Sequence, residues 1–227
     1  MALRPKVEEN EENIFWVTMT DLMMGLMMVF IVLFIQSVLT ASSDAIATNQ
    51  AQQEVVQEIE EVMKENNIDA TVEPNGSVKI SDLELFNVNS AELSPKGKAY
   101  LDKFVPMYFD LLYSNEVLAK NIENIIIQGH TDSQTFKNAK TQNDQYLLNM
   151  DLSMRRAYTV SRYALNTNFD KKNADKIRKC LIVEGRGSSN PVLVNGKEDL
   201  NKSRRVELIL SLKKASEVSG FLQLFRN

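Results

Sequence analysis

The sequence has one cysteine, one histidine, eight glycines and five prolines in 227 residues. A single cysteine, Cys180, excludes an intramolecular disulfide, a CxxC redox pair and a cysteine-based zinc site. A single histidine, His130, excludes HExxH zinc chemistry and any multi-histidine metal cluster. The scarcity and scatter of Gly and Pro exclude collagen-like and Pro-rich disordered chains. No serine or cysteine nucleophile stands at a motif spacing from a base, so the chain is not expected to be an enzyme, and no metal ligands are expected.

What the sequence does have is divided along its length. The formal net charge of −4 hides a first part, residues 1–70, with 3 Lys/Arg against 12 Asp/Glu, and a remainder with 23 against 18. The mildly basic part is too evenly mixed for nucleic-acid binding, which needs a concentrated Lys/Arg stripe. Two parts with different jobs are implied.

Between Glu12 and Asp44 the only charged residue is Asp21, and positions 14–35 supply 22 residues of predominantly apolar sequence. About 20 such residues cross a hydrocarbon core as a helix, so 13–42 is expected to be a transmembrane helix with Trp16 as an interfacial anchor. A signal peptide is the competing reading, but four glutamates precede the run and an aspartate interrupts it. Arg4 and Lys6 lie just before the span and the next basic residue is Lys64. The positive-inside rule then puts a short tail, 1–12, in the cytoplasm and the rest of the chain beyond the span outside it. An aspartate deep in a bilayer costs about 2.5–3.5 kcal/mol on insertion scales, and such residues usually face protein and carry function. Asp21 is therefore the candidate ion carrier. Thr18 and Gly25 share its helical face as candidate ion-path neighbours, the one offering a hydroxyl and the other close helix approach.

Residues 43–70 lack Pro and Gly, and Val55, Ile59, Val62 and Met63 recur at helical spacing. A helical linker is expected there, pairing with its copy or lying on the membrane. A mixed α+β domain over 71–213 follows, then a tail, 214–227. Asn75-Gly76 marks a hairpin, and Ser94-Pro95 an N-cap and first helical residue. The pattern predicts strands at 124–129, 181–184 and 205–210, and a helix over 149–165. The apolar cluster in 221–225 reads as a docked tail, and Cys180, before an apolar run, as a core residue.

Four motifs in this part occur in a set order: GHTD at 129–132, N-x-x-L-S-x-x-R-A at 149–157, G-x-G at 185–187 and N-x-x-R-R-V-E at 201–207. With LFNVNSAELSPKGKAYL at 85–101, they resemble the OmpA-like peptidoglycan-binding domain over roughly residues 78–212. The resemblance implies a βαβαβ-type mixed sheet and a ligand, the meso-diaminopimelate of the wall stem peptide, whose free end carries an ammonium and a carboxylate on one carbon. A carboxylate beside a bidentate guanidinium suits such a group, and by the motif match these are Asp132 and Arg156. Thr131 and Asn149 are secondary candidates. Asn149, Ser153 and Arg156 share a helical face, with Asn149 and Ser153 expected in the helix's first turns, where free N–H groups favour an anion. Arg205 is a weaker candidate, since a structural salt bridge explains it equally well. His130 is expected to position the loop. The segment 133–148 is longer than the family usually has, and Ser203 stands where the family commonly has asparagine.

A short cytoplasmic tail, a span with a membrane aspartate, a tether and a wall-binding domain make up the plan of the MotB family. FWVTMTDLMMGLMMVFIVLF at 15–34 resembles the MotB-like subunit of Zorya anti-phage systems more closely than flagellar MotB. The resemblance implies a homodimer inside a ring of a larger multi-span MotA-like partner, of the ZorA type in Zorya systems, with a proton or sodium as transported ion and no other cofactor. Alternatives are a flagellar stator subunit, a passive envelope tether in which Asp21 is dispensable, and an ExbD/TolR-type energiser, whose outer domain would not normally carry these motifs.

Overall fold

The computed structural model describes residues 8–87 and 90–213, and side chains from residue 14 onward except residue 44. The expected docked tail at 221–225, and Arg4 and Lys6, lie outside the described residues. The chain divides into two compact units, one holding residues up to Ile46 and the other Ala47–Lys213. Helix α1, Glu8–Glu65, contributes to both.

In the first unit, α1 exposes an all-round apolar surface from Ile14 to Ile35. A helix apolar on every side suits lipid or other helices rather than water, and among the described residues α1 is the one helix long and apolar enough to cross a membrane. Thr18 Oγ1 lies 2.9 Å from the Phe15 carbonyl and 3.0 Å from that of Ile14, so its hydroxyl donates back into its own helix. At Gly25 an added Cβ would meet nothing within 4 Å, which leaves that side of α1 open to a neighbour.

The second unit begins with the rest of α1. The residues expected to form a linker are divided here: Ala51, Val55, Ile59 and Met63 are buried in the domain core, with Ile59 fully inaccessible. The apolar stripe read as a surface for a partner or a membrane is a core-facing stripe instead. Gln52 Nε2 donates to the Asn75 carbonyl (2.6 Å) and Asn121 Nδ2 to Thr48 Oγ1 (3.1 Å), fastening α1 to the hairpin and to the end of a later helix. Burial of Val55, Ile59 and Met63, at roughly 1.5–3 kcal/mol each, accounts for most of this docking.

Strands β1 (Thr71–Val72) and β2 (Val78–Ser81) form the hairpin, turned at Gly76 with φ +79°. Short helix α2 (Asp82–Leu85) leads to α3 (Pro95–Ser114), where Ser94 Oγ accepts from the Gly97 N–H. α4 (Glu116–Asn121) precedes β3 (Ile122–Gly129), and α5 (Gln142–Ala164) and α6 (Ala174–Cys180) precede β4 (Leu181–Gly185). A small hairpin, β5 (Leu193–Val194) and β6 (Lys197–Glu198), and α7 (Leu200–Ser203) lead into β7 (Arg205–Leu212).

The main sheet has the order β1-β2-β7-β3-β4, parallel only between β3 and β4. This is an α+β fold. Val78, Ile80, Ile125, Ile127, Val206 and Leu208 are fully buried and alternate along their strands, forming one face of the core with Phe104, Tyr108 and Phe109 of α3. The Tyr108 hydroxyl donates to the Gly76 carbonyl (3.1 Å), and burial pushes its pKa up. Cys180 is buried, with its Sγ 3.5 Å from the Tyr113 hydroxyl.

α5 starts seven residues before its expected position. The Thr141 hydroxyl accepts from the Asp144 N–H and the Asp144 carboxylate accepts from the Thr141 N–H, a capping box that a reading centred on the N-x-x-L-S motif passes over. Asn149 and Ser153 consequently sit inside the helix rather than in its first turns, so they offer no free N–H groups to an anion. The packing of α5 against β3 demands a glycine: a Cβ on Gly129 would lie 2.1 Å from the Ser153 carbonyl oxygen. Gly129→Ala is expected to force α5 off the sheet and to cost about 1–3 kcal/mol or more, read as a lower midpoint in thermal unfolding.

Candidate functional site

The end of β3, the middle of α5 and the start of α2 bring four charged side chains together. Asp132 lies three residues past the end of β3 and is buried. One of its oxygens, Oδ1, accepts the Gln134 N–H (3.2 Å), and Oδ2 accepts from Arg204 Nη1 (2.5 Å). Arg156, on the inward face of α5, is 2% exposed. Its Nη2 lies 3.1 Å from Asp82 Oδ2, its Nε donates to the Ser90 carbonyl (3.0 Å), and its guanidinium carbon is 5.2 Å from the centre of the Phe86 ring. Arg204 and Asp132 both act electrostatically on the Asp82 and Arg156 pair, so the four charges form one group.

That group is two ion pairs, Asp82 with Arg156 and Asp132 with Arg204, of zero net charge. It is not comfortably solvated. Burial, ahead of every charge effect, pushes the Asp82 carboxyl above its usual range despite Arg156 and Arg204 beside it, and burial likewise lowers Arg156. Asp82 Oδ1 is buried with no partner among the described residues, as is Thr131 Oγ1. Buried polar atoms left unpaired cost about 1–3 kcal/mol each, so these are positions where a polar ligand gains most.

The candidates from sequence fare differently. Asp132 and Arg156 are brought into one electrostatic group. Thr131 donates its backbone N–H to the Gly187 carbonyl (2.9 Å), and Asn149, 1% exposed, donates from Nδ2 to the Gln145 carbonyl (3.1 Å) beneath the same glycine loop. Ser153 Oγ donates to the Met150 carbonyl and accepts the Gly187 N–H, both at 2.9 Å, so it ties the G-x-G loop to α5. Arg205 does not join the group. Its Nε binds Glu207 Oε1 (2.5 Å) and its Nη1 donates to the Ser203 carbonyl (3.1 Å), a structural salt bridge within β7. Arg204, the other arginine of the pair, reaches Asp132. The signal was present: Glu207 stands two residues after Arg205 on one strand face, so Arg205 has its partner at hand. Asp82 was missed altogether, because nothing in its local sequence relates it to Arg156.

The segment 133–148 is shorter as a loop than it looked, since α5 absorbs its last seven residues. Gln145 holds the remainder, accepting the Phe136 N–H (2.8 Å) and donating to the Gln134 carbonyl (2.6 Å). Ser203 is fully buried and its hydroxyl accepts the Val192 N–H (3.0 Å), which explains a small hydroxyl there without reference to a ligand. A cleft of about 410 Å³ lies on the neighbouring face of α5, lined by Ser90, Leu152, Arg155, Tyr158 and Arg162 among others, and it shares only the Ser90 wall with Arg156.

His130 sits beneath the loop. It is 1% exposed, its N–H donates to the Arg205 carbonyl (2.9 Å), and Nε2 lies 2.9 Å from Gln128 Oε1. Burial first, then the positive charges of Arg205, Arg186 and Lys79, lower its pKa to about 3. The unfolded chain therefore takes up this proton before the folded one does. The stabilisation is whole above about pH 6.5 and falls by at most about 1.4 kcal/mol per pH unit as the pH drops from there towards 3. His130→Gln is expected to flatten the fall of the melting temperature between pH 6.5 and 4; an unchanged slope would assign the acid sensitivity to other groups.

The comparisons with known proteins show the family of the chain. The OmpA family matches residues 85–205. Zorya protein ZorB of Escherichia coli strain ATCC 8739 is 31% identical over 89% of this chain and 88% of its own length. A second Zorya protein ZorB, from Escherichia coli O139:H28, is 26% identical over 91% and 84%. Among solved structures, a putative MotB-like protein from Desulfovibrio vulgaris shares the fold with a TM-score of 0.53, at 22% identity over 74% of this chain and 98% of that one. The chain belongs to the OmpA family and to the ZorB family of Zorya proteins. One apolar N-terminal helix joined to an OmpA-family domain describes a single-pass inner-membrane protein.

Proposed function

We propose that the chain is the peptidoglycan-anchored, ion-conducting subunit of a proton-driven inner-membrane rotary motor that serves anti-phage defence. In this reading the N-terminus is cytoplasmic and the OmpA-family domain lies in the periplasm. Two copies pair through their spans inside a ring of a MotA-like multi-span partner. Asp21 takes a proton from the outer side, becomes neutral, moves against the ring and releases the proton inward. One elementary charge crossing the membrane supplies about 2.3 kcal/mol per 100 mV, comparable to the cost of burying the ionised acid, so the membrane potential is able to drive the cycle.

The observation that carries the anchoring half is the net-neutral group of buried Asp82, Asp132 and Arg156 with part-exposed Arg204. A free meso-diaminopimelate end bears one ammonium and one carboxylate, and it complements such a group by exchanging partners: ammonium to the carboxylates, carboxylate to the guanidiniums. Charge-assisted hydrogen bonds in a water-poor site are the strong ones. Arg204, held by Asp132 and by the Asn201 amide oxygen, is the most exposed of the four side chains, so its side of the group is the one a ligand reaches from solvent. Co-sedimentation of the detergent-solubilised chain with purified sacculi, and its competition by soluble stem peptide, tests the anchor. Between a defence and a flagellar role, membership among the ZorB proteins favours defence.

A further inference from the structure

The group contains one carboxylate more than a carboxylate-and-guanidinium clamp requires. Asp82 lies 7% exposed at the start of α2, with Oδ2 on Arg156 and Oδ1 without a partner among the described residues. Its backbone N–H donates to the carbonyl of Arg204 (3.1 Å), and the Arg204 guanidinium holds Asp132. Asp82 is thus fixed by its main chain to the other ion pair while its side chain occupies the arginine that a ligand carboxylate needs.

Resting on the wall-binding reading above, we propose that Asp82 is the selectivity residue of this site. In the free protein it holds Arg156, and on binding it yields Arg156 to the ligand carboxylate and takes the ligand ammonium, so that the site accepts an amino-acid terminus and rejects a bare carboxylate. A ligand with a carboxylate alone must strip Arg156 from Asp82 and leave a third negative charge among two guanidiniums in a nearly dry site, which is costly. A zwitterion brings its own cation, keeps the group neutral and supplies a donor for Oδ1. Specificity then comes from a buried acceptor that only the right ligand can satisfy.

The test is calorimetric titration of the full chain in detergent with two soluble peptides, L-Ala-γ-D-Glu-meso-diaminopimelate and the same peptide ending in 2-aminopimelate, which keeps the terminal carboxylate and lacks its ammonium. Wild type is expected to prefer the first by at least about tenfold, the worth of a charged hydrogen bond. In Asp82→Asn the ratio is expected to fall below about threefold, with binding of the 2-aminopimelate peptide strengthened because Arg156 is released. Asp82→Ser, which keeps the bond from its N–H to Arg204, provides the same reading where the asparagine variant folds poorly, and unfolding curves accompany both. An unchanged ratio in the variants, or parallel weakening for both peptides, overturns the inference and assigns Asp82 a structural role. Equal wild-type affinity for the two peptides overturns it and leaves the wall-binding reading intact, whereas wild type binding neither removes both.

Discussion

If the chain works as the proposed motor subunit, Asp21→Asn is expected to abolish ion flux and phage protection while leaving the chain in the membrane and bound to the proposed ring partner. Asparagine matches aspartate in size and hydrogen-bonding reach but cannot release a proton, so only the charge cycle is lost. Insertion should not suffer, because removing a charge from a bilayer-spanning helix relieves a cost of about 2.5–3.5 kcal/mol. Apart from Thr18 and Thr20, the side chains flanking Asp21 on α1 are exposed and apolar, and both hydroxyls donate back into the helix, Thr18 to the Phe15 and Ile14 carbonyls and Thr20 to the Trp16 carbonyl. The neighbouring hydroxyls of α1 are therefore already engaged and not turned to the carboxylate. The measurements are cytoplasmic acidification on induction, phage plating efficiency and co-purification of the partner. Full protection by the asparagine variant would exclude ion carriage and favour a passive tether.

Loss of the proposed wall site is expected to have an effect nearly as complete but separable from the membrane half. Asp132→Ala should remove most sacculus co-sedimentation, with affinity for the soluble stem peptide falling about 10–100-fold, as for a lost charged hydrogen bond of about 1.5–3 kcal/mol. Its folding cost should be modest, since the abandoned Arg204 side chain keeps access to water. Arg156→Ala should also abolish binding, yet it leaves Asp82 buried without its counter-ion, and breaking a buried pair from one side costs about 3–5 kcal/mol. A melting curve must therefore accompany that variant, and Asp132→Ala is the cleaner test. Undiminished sedimentation of a folded Asp132→Ala protein would place the wall contact elsewhere.

The unequal value of these two substitutions was not visible in the motifs. GHTD and N-x-x-L-S-x-x-R-A picked out Asp132 and Arg156, and local chemistry accounts for the Asn75-Gly76 turn and the Ser94 cap, whose hydrogen bonds join near neighbours in the chain. The motifs did not identify the partner of either residue. Asp132 meets Arg204, 72 positions away, through the return of β7 beside β3, and Arg156 meets Asp82 through α2 at the far end of β2. The choice between Arg204 and Arg205 turned on where β7 begins, because one residue of offset sends one side chain to Asp132 and the other to Glu207.

The apolar run with its single acid needed no tertiary information, since hydropathy sums over adjacent residues and Asp21 stands out against its neighbours in the chain itself. The helical stripe of Val55, Ile59 and Met63 was equally legible as a stripe, but its destination was not: a period of 3.6 marks an apolar face without saying what covers it. Only the folded domain, with the core open along that side to receive α1, decided that the face is internal. Likewise, the sequence by itself determined that a carboxylate and a guanidinium suited to a zwitterion are present, whereas the tertiary structure decided that two carboxylates and one guanidinium are buried together beside the part-exposed Arg204, with one carboxylate oxygen left without a partner among the described residues. Ion pairing depends on distance and desolvation, and both are set by chain segments that meet only on folding.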